Sequence, residues 1–407
     1  MHLLRSIPED NAMTGNQYRD DDWLKNEVER LLEFYYPNCL DDVHGGYIAQ
    51  FDEASGECYD PDSKHLVATA RFVTNFAVAD QLGGPEWCRP AAERGVDFLL
   101  DVHRDSEHGG FHWLLDGTEP VDSRRVCYGH AFVLLALSRA AEIGIGRAQS
   151  DLGSVSDLID ERFWEADYGL CASEYDREWT SADSYRGQNA NMHTCEAMIA
   201  AYEATSDTRY LDRAMTIADS LTRDLTAETD GLIWEHYTAD WEHDFEYNRN
   251  DPTHTFRPWG YQPGHQIEWA KLLAVLDRHA DASWLVPRAE ELFDAAIEYG
   301  WDDDRGGFYY SFDLDGEPLV TDKYSWEVAE AIGAAAVLAD RTDRDRYLEW
   351  YDRFWDYAEE YMIAPGARNW YTKVTETNEP VPTTRDVAVE PGYHPIGACF
   401  EGIRSFS

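Results

Sequence analysis

One motif, repeated six times, limits what this chain can fold into more than any other feature. Each copy is an acidic turn, one or two glycines, and then aromatic or β-branched residues. It reads Asp41-Asp42-Val43-His44-Gly45-Gly46-Tyr47, then Glu107-His108-Gly109-Gly110-Phe111 and Asp167-Tyr168-Gly169-Leu170. It returns as Asp230-Gly231-Leu232-Ile233-Trp234, as Asp304-Arg305-Gly306-Gly307-Phe308-Tyr309-Tyr310, and in degenerate form from Gly366 to Tyr371. Successive copies lie about 60 to 75 residues apart, and a fixed period of that kind marks one supersecondary unit stacked on itself. Glycine followed by aromatics suits a short two-stranded loop, and nearby second turns such as Asp315-Gly316 fit the same picture.

Two helical patterns lie between each pair of loops. The spans 22–36, 86–103, 146–163, 208–224, 283–300 and 342–362 place apolar residues at i, i+3 and i+4 with charges elsewhere, as half-exposed helices do. The spans 64–82, 125–143, 189–205, 260–279, 323–340 and 393–404 are richer in alanine, small and apolar residues, as buried helices are. Twelve helices in six hairpins, one set polar and one apolar, predict an all-α (α/α)6 barrel, a toroid with short β-hairpin loops on one face. Length alone would suggest two or three domains. Repeats grow a single core, however, and no Pro/Ser-rich linker interrupts the chain, so residues 1–407 read as one domain.

The formal charge of −45 comes from 79 acidic against 34 basic residues, of which five are lysine. Such a surface keeps a protein soluble while repelling itself, and concentrated salt screens that repulsion. A cytosolic protein of a salt-rich interior accounts for the charge, whereas nucleic acid and anionic membranes make poor partners. Seven scattered cysteines with no CxxC pair indicate a reducing compartment rather than a disulfide framework or a zinc site. Met1 to Met13 holds no apolar targeting segment, and no run of about 18 apolar residues occurs. The expectation is a cytoplasmic protein; the sequence leaves its oligomeric state open.

In this layout each loop leads into an inner helix, so residues near the inner-helix starts converge on one face of the ring. Polar residues collect there: Lys64, His65 and Arg71; Tyr128 and His130; Asn189, Asn191 and His193; His265 and Glu268; Lys323 and Trp326; His394. Polar groups on buried helices need partners or a wet cavity, so contributions from all six helices predict a central cleft. Asn191-Met192-His193-Thr194-Cys195-Glu196 and Pro263-Gly264-His265-Gln266-Ile267-Glu268 both carry H-x-x-E. At i, i+3 the two side chains share a helical face, where a carboxylate can orient the ring for proton transfer. A surface ion pair or a metal site would give the same pattern, but no third ligand stands at a suggestive spacing, so no metal or other cofactor is expected.

No G-x-S-x-G elbow, P-loop or dinucleotide fingerprint is present. With 79 acids, a pair of carboxylates suited to glycoside hydrolysis stays open. Trp259, Trp269, Trp326 and Trp370 are candidates for stacking on sugar faces, or for core.

The stretch Tyr185-Arg186-Gly187-Gln188-Asn189-Ala190-Asn191-Met192-His193, with Glu196-Ala197 after it, resembles the N-acylglucosamine 2-epimerase superfamily. So does Trp259-Gly260-Tyr261-Gln262-Pro263-Gly264-His265-Gln266-Ile267-Glu268-Trp269. The likeness covers essentially the whole chain. It implies an (α/α)6 barrel acting on a sugar through histidines, without a required metal: a 2-epimerase, or an aldose–ketose isomerase for mannose or sulfoquinovose. Carried over residue by residue, it implies that His265 and His394 form the acid/base pair, that His193 assists at the oxygen end, and that Glu268 orients His265. Arg71, Tyr128, Asn189, Arg257 and Trp326 would line the pocket. The Asn-Ala-Asn-Met-His stretch and Glu268-Trp269 look more like the isomerase branch. Around His394, the run Glu390-Pro391-Gly392-Tyr393-His394-Pro395-Ile396-Gly397 lacks the flanking basic residues of the family pattern, which implies a different pocket wall. For an anionic sugar, Arg71, Arg257 and Lys323 are the candidate counter-charges; each has a structural ion pair as its alternative. A hydrolase or a non-catalytic sugar binder on the same barrel are the competing readings.

Overall fold

The computed structural model describes residues 17–254, 256–366 and 369–407. The stretch Met1–Met13 and residues 367–368 of the sixth loop copy lie outside the described residues. Twelve α-helices run through them. The outer six are α1 (Asp21–Tyr35), α3 (Cys88–Phe98), α5 (Gly146–Arg162), α7 (Thr208–Asp219), α9 (Leu285–Gly300) and α11 (Asp345–Tyr357). The inner six are α2 (Leu66–Gln81), α4 (Cys127–Glu142), α6 (Gln188–Thr205), α8 (Pro263–Leu276), α10 (Ser325–Thr342) and α12 (Tyr393–Phe406). The inner helices pack in the order α2, α4, α6, α8, α10, α12, and α12 returns to α2, closing the ring. Each outer helix lies against an inner one, and α1 covers the seam by packing on both α12 and α2. The expected (α/α)6 barrel is therefore the fold.

The two sets differ as their sequences require. Every residue of α8 is buried, whereas α11 buries only Tyr347, Tyr351, Phe354, Trp355 and Tyr357, a stripe at helical spacing facing inward. The outer helices α3, α7 and α11 each end in one wide π-helical turn, at Leu99–His103, Ser220–Asp224 and Ala358–Met362. Four inner spans were expected to begin two or three residues too early. Lys64-His65, Arg125-Val126 and Lys323-Tyr324 are strand, and α8 starts at Pro263, where the fixed φ and missing N–H of proline cost nothing. Among the described residues no helix is long and apolar enough to cross a membrane.

The loop motif has one recurring construction. Asp41 Oδ1 accepts from the backbone N–H groups of Val43 and His44 at 2.8 and 3.1 Å. Asp105 and Asp302 hold the turns that follow them in the same way. The paired glycines 45–46, 109–110 and 306–307 all have positive φ, which turns the chain back before the bridged pairs Leu40–Tyr47, Arg104–Phe111 and Trp301–Phe308. Each of these three aspartates is also met by a buried cation from the strand that enters the next inner helix: Asp41 by Lys64 at 2.7 Å, Asp105 by Arg125, and Asp302 by Lys323 at 2.8 Å. Glu165 and Arg186 repeat the arrangement at 2.7 Å in the third copy. These strands also pair across repeats, Ser63–His65 with Leu114–Asp116, Arg125–Val126 with Glu174–Tyr175, Arg186–Gly187 with His236–Tyr237 and Lys323–Tyr324 with Lys373–Val374. Lys64 and Lys323, expected at the pocket, are thus clamps between a loop and the helix after it.

Candidate active site

Three histidines stand on the starts of three inner helices, and each has a carboxylate at Nδ1. His193, the sixth residue of α6, has Nδ1 2.9 Å from Glu196 Oε2. His394, the second residue of α12, has Nδ1 2.7 Å from Glu330 Oε1 on α10. His265, the third residue of α8, has Nδ1 2.9 Å from Glu235 Oε2 on the loop that precedes it. The ring of Trp326 lies between the last two, with centroids 5.1 Å from His265 and 5.8 Å from His394. A carboxylate at Nδ1 favours a proton there and leaves Nε2 as the ring nitrogen free for acid/base work.

Arg71 joins these groups from α2. It is buried, its Nη1 donates to Val389 O at 3.0 Å and Glu390 Oε2 at 2.9 Å, and its Nη2 donates to Tyr128 Oη at 3.2 Å. The same Nη2 lies 3.4 Å from His394 Nε2, and the guanidinium sits over Phe132 and Tyr393 at 4.5 and 4.8 Å. The cation missing from the sequence around His394 therefore arrives from another repeat. Tyr128 stacks edge-on against His193 at 5.1 Å, and burial pushes its hydroxyl up to about 12. Asn189 stands half-buried on the first turn of α6, with a buried Oδ1 that no protein group meets.

Glu268 does not orient His265 as expected. Its Oε1 is buried without a hydrogen-bond partner and lies 3.9 Å from His193 Nδ1. Glu235 takes the expected role, and its Oε2 also accepts from Gln188 Nε2 at 3.0 Å. Arg257 makes its contacts at the rim: with Glu174, with Tyr247 Oη at 2.9 Å, and over the Tyr185 ring at 4.0 Å. Other candidates serve the fold. His65 caps α2 by accepting from Val67 N at 3.2 Å; His130 binds Val126 O and Phe111 N; Asn191 bridges Cys171 and Gly187. Trp259 and Trp269 are buried and donate to Phe245 O and Gln188 Oε1, and Trp370 is buried against Trp355. Of the four tryptophans, only Trp326 borders the histidines.

Below the histidines lies a layer of charge: the buried Glu268, Glu330 and Lys271, the last paired with Glu330, and the half-buried Glu196. Burial lowers His193 to about 4 against the pull of Glu196. Burial, and then the charge of Glu330, raise Glu268 well above the usual carboxylate range. Burial acts upward on Glu330 and Glu196 too, but Lys271 and the histidines outweigh it and hold both low. His193, Glu196 and Glu268 form one group whose ligand atoms lie within 4.8 Å of one another, and Glu268, Glu330 and His394 form another. These groups carry donor types that a metal ion takes, but the Tyr393 hydroxyl at 2.6 Å from Glu196 and the Lys271 ammonium on Glu330 already meet a carboxylate of each. What the arrangement offers without one is histidine acid/base chemistry beside a buried guanidinium, with the rings of Tyr128, Phe132, Trp326 and Tyr393 packed against these groups.

A family model for N-acylglucosamine 2-epimerase matches residues 46–398. A D-mannose isomerase of Marinomonas mediterranea is 40% identical over 386 residues, covering 95% of this chain and 97% of the relative. A crystal structure of a D-mannose isomerase superposes with a TM-score of 0.92 at 38% identity, covering 98% of this chain and all of the other. The cellobiose 2-epimerase of Spirochaeta thermophila has a TM-score of 0.81 at 20% identity over 98% of this chain and 99% of its own, which is a likeness of fold. With near-complete coverage by both sequence and structure, the chain belongs to the N-acylglucosamine 2-epimerase family.

Proposed function

We propose that this sugar isomerase interconverts D-mannose and D-fructose, moving a proton between C2 and C1 through an enediol. The observation that carries the reading is the pair of buried histidines, His265 and His394, each with a carboxylate on Nδ1 and both flanking Trp326. The near-full-length likeness to D-mannose isomerases supports the substrate. Arg71 supports an unprotonated Nε2 on His394: its Nη2 donor lies 3.4 Å away, and its Nη1 engages the Glu390 Oε2 that lies 3.5 Å from the same nitrogen. In the scheme, His394 takes the C2 proton of the open-chain aldose and returns it to C1. His265 gives a proton to O1 as the enediol forms and recovers one from O2 as the ketose forms, so no atom is gained or lost. Arg71, Tyr128 and Asn189 hold hydroxyls, Trp326 supports the sugar face, and His193 serves the oxygen end.

The substrate is a neutral hexose. The cations proposed for an anionic C6 group are each committed: Arg71 to Glu390, Arg257 to Glu174 and Lys323 to Asp302. All seven cysteines are free, six of them buried, which supports a cytoplasmic setting.

The test is incubation with mannose, fructose, glucose, sulfoquinovose, N-acetylglucosamine and cellobiose in D2O, followed by NMR. Fructose from mannose, lost in His265→Asn and His394→Asn by about 1,000-fold in kcat with the fold intact, is the expected result. C2 epimers with deuterium at C2 and no ketose would replace the isomerase with a 2-epimerase. Release of reducing ends from the disaccharide in the His265→Asn protein would replace it with a hydrolase.

A further inference from the structure

Lys271 lies under the reacting histidines, and the scheme above gives it no task. It sits six residues along α8 from His265, buried, with its ammonium paired to Glu330 Oε2. The other oxygen of that carboxylate meets His394 Nδ1 at 2.7 Å. One carboxylate thus joins a buried lysine to the histidine assigned as base. A buried ammonium is expensive to desolvate, and a buried ion pair is weak grounds for stability, since an apolar pair of the same volume often serves as well. Its presence directly behind a histidine calls for a chemical reason.

Two arrangements of the Glu330–His394 hydrogen bond are open to the same atoms. Either Glu330 is ionised and His394 donates from Nδ1, or Glu330 is protonated and donates to Nδ1, which moves the ring proton to Nε2. The second arrangement puts an N–H on Nε2, between the Arg71 guanidinium at 3.4 Å and Glu390 Oε2 at 3.5 Å, and leaves no base towards the sugar. The charges facing this pair come from every helix around it. Lys271 faces Glu268 on α8, Glu196 on α6 and Glu330 on α10, while His394 faces Glu330, Arg71 on α2, Glu390 just before α12, and His193 on α6. Behind Lys271 lies a small cavity of about 60 Å³, bordered also by Asn75, Arg139 and Glu401. Asn75 Oδ1 is buried there without a protein partner. That is room and polarity enough for water to satisfy the remaining ammonium protons.

We propose that Lys271 is a positioning residue of the reaction: paired with Glu330, it keeps that carboxylate ionised, so that His394 holds its proton on Nδ1 and presents Nε2 as the base. This role rests on the proton transfer assigned to His394 above. The neighbouring acids agree with it. Glu268 has no hydrogen bond from Lys271 and is raised well above the usual range, whereas Glu330, equally buried, is held below it.

The test uses the full chain as K271M, E330Q and the double variant, with H394N and wild type alongside. D-Mannose turnover is followed from pH 5.5 to 9, and histidine-selective 15N spectra are recorded, with His394 assigned by its loss in H394N. K271M is expected to lower kcat by about 10- to 100-fold while KM changes little. Its acid limb in kcat/KM moves to higher pH, because Glu330 without the cation takes up a proton more readily. The double variant is no slower than E330Q, since Lys271 acts through Glu330, and the 15N shifts of His394 pass from the Nδ1–H form in wild type towards the Nε2–H form in K271M. If K271M is insoluble, Lys271→Gln, which keeps a hydrogen bond without the charge, gives the same readouts. An unmoved acid limb with an unchanged His394 tautomer overturns the proposal, as does a double variant slower by the product of the single losses. Full activity in H394N, or no aldose turned over by wild type, instead overturns the function assigned above and the role with it. The 15N spectra separate the cases, because they read the Lys271–Glu330–His394 link without turnover.

Discussion

His265 reaches its carboxylate across a loop, while His193 finds one on its own helix, although both sit in H-x-x-E. Side chains on a helix lean towards its N-terminus. His193 has a full turn of α6 before it and stays level with Glu196, whereas His265 is the third residue of α8 and overhangs the loop carrying Glu235. Glu235→Gln should lower kcat by about tenfold or more, less than loss of the imidazole itself, as the ring loses the anion that fixes its tautomer. Glu268→Gln should leave the orientation of His265 unchanged, which a structure of that variant would check. His193 and His265 could be singled out by H-x-x-E and His394 by the family likeness, whereas imidazoles on otherwise apolar helices would have given His65 and His130 equally. Glu235, Glu330 and Lys271 were not legible, because 79 acids mask the few near the histidines and a contact between loop and helix, or between two helices, has no spacing to read. One signal for Glu235 was available: it directly follows the fourth loop motif, Asp230 to Trp234, where the chain turns towards the inner ring.

The loop-and-strand unit explains why several polar residues at inner-helix starts turned out to be structural. Lys64, Arg125, Arg186 and Lys323 occupy the same place in four of the repeats, on the strand just before an inner helix, and each meets the acid of its own loop. The helical period was plain in the sequence, but a two-residue strand has too few positions to show its own, so the inner helices were extended over it. Removing one partner of such a pair strands a buried charge. Lys323→Met should cost about 3–5 kcal/mol in denaturant unfolding with kcat/KM unchanged. Elements also carry the acid limit of stability. His103, closing the π turn after α3, hydrogen-bonds His112 O and Thr69 Oγ1 and is lowered by burial to about 3; His65 falls to about 3 for the same reason. The unfolded chain binds protons at these histidines from about pH 6.5 downward and the folded chain does not. Their contribution is therefore complete above that pH and declines towards about pH 3, at roughly 1.4 kcal/mol per pH unit for each ring. His103→Gln should flatten the fall in Tm across that window.

At the scale of the molecule, the charge of −45 spreads over a barrel whose inner helices bury many small and apolar residues around the charged groups near the histidines. Mutual repulsion among the acids opposes the compact state, and salt screens it. Tm should therefore rise from 0.1 M to 2 M KCl, and a flat or falling curve would remove the salt-rich setting as the reason for the composition. Fold class was legible at this scale because six copies of one motif average out the errors in any single helix boundary. Closure of the ring adds something that neither motif nor composition states. The seam is made where α12 meets α1 and α2, and α12 is also the helix that carries His394. One helix therefore both shuts the circle and brings the third histidine to its neighbours, so whatever parts the seam also carries His394 away from Glu330 and Arg71.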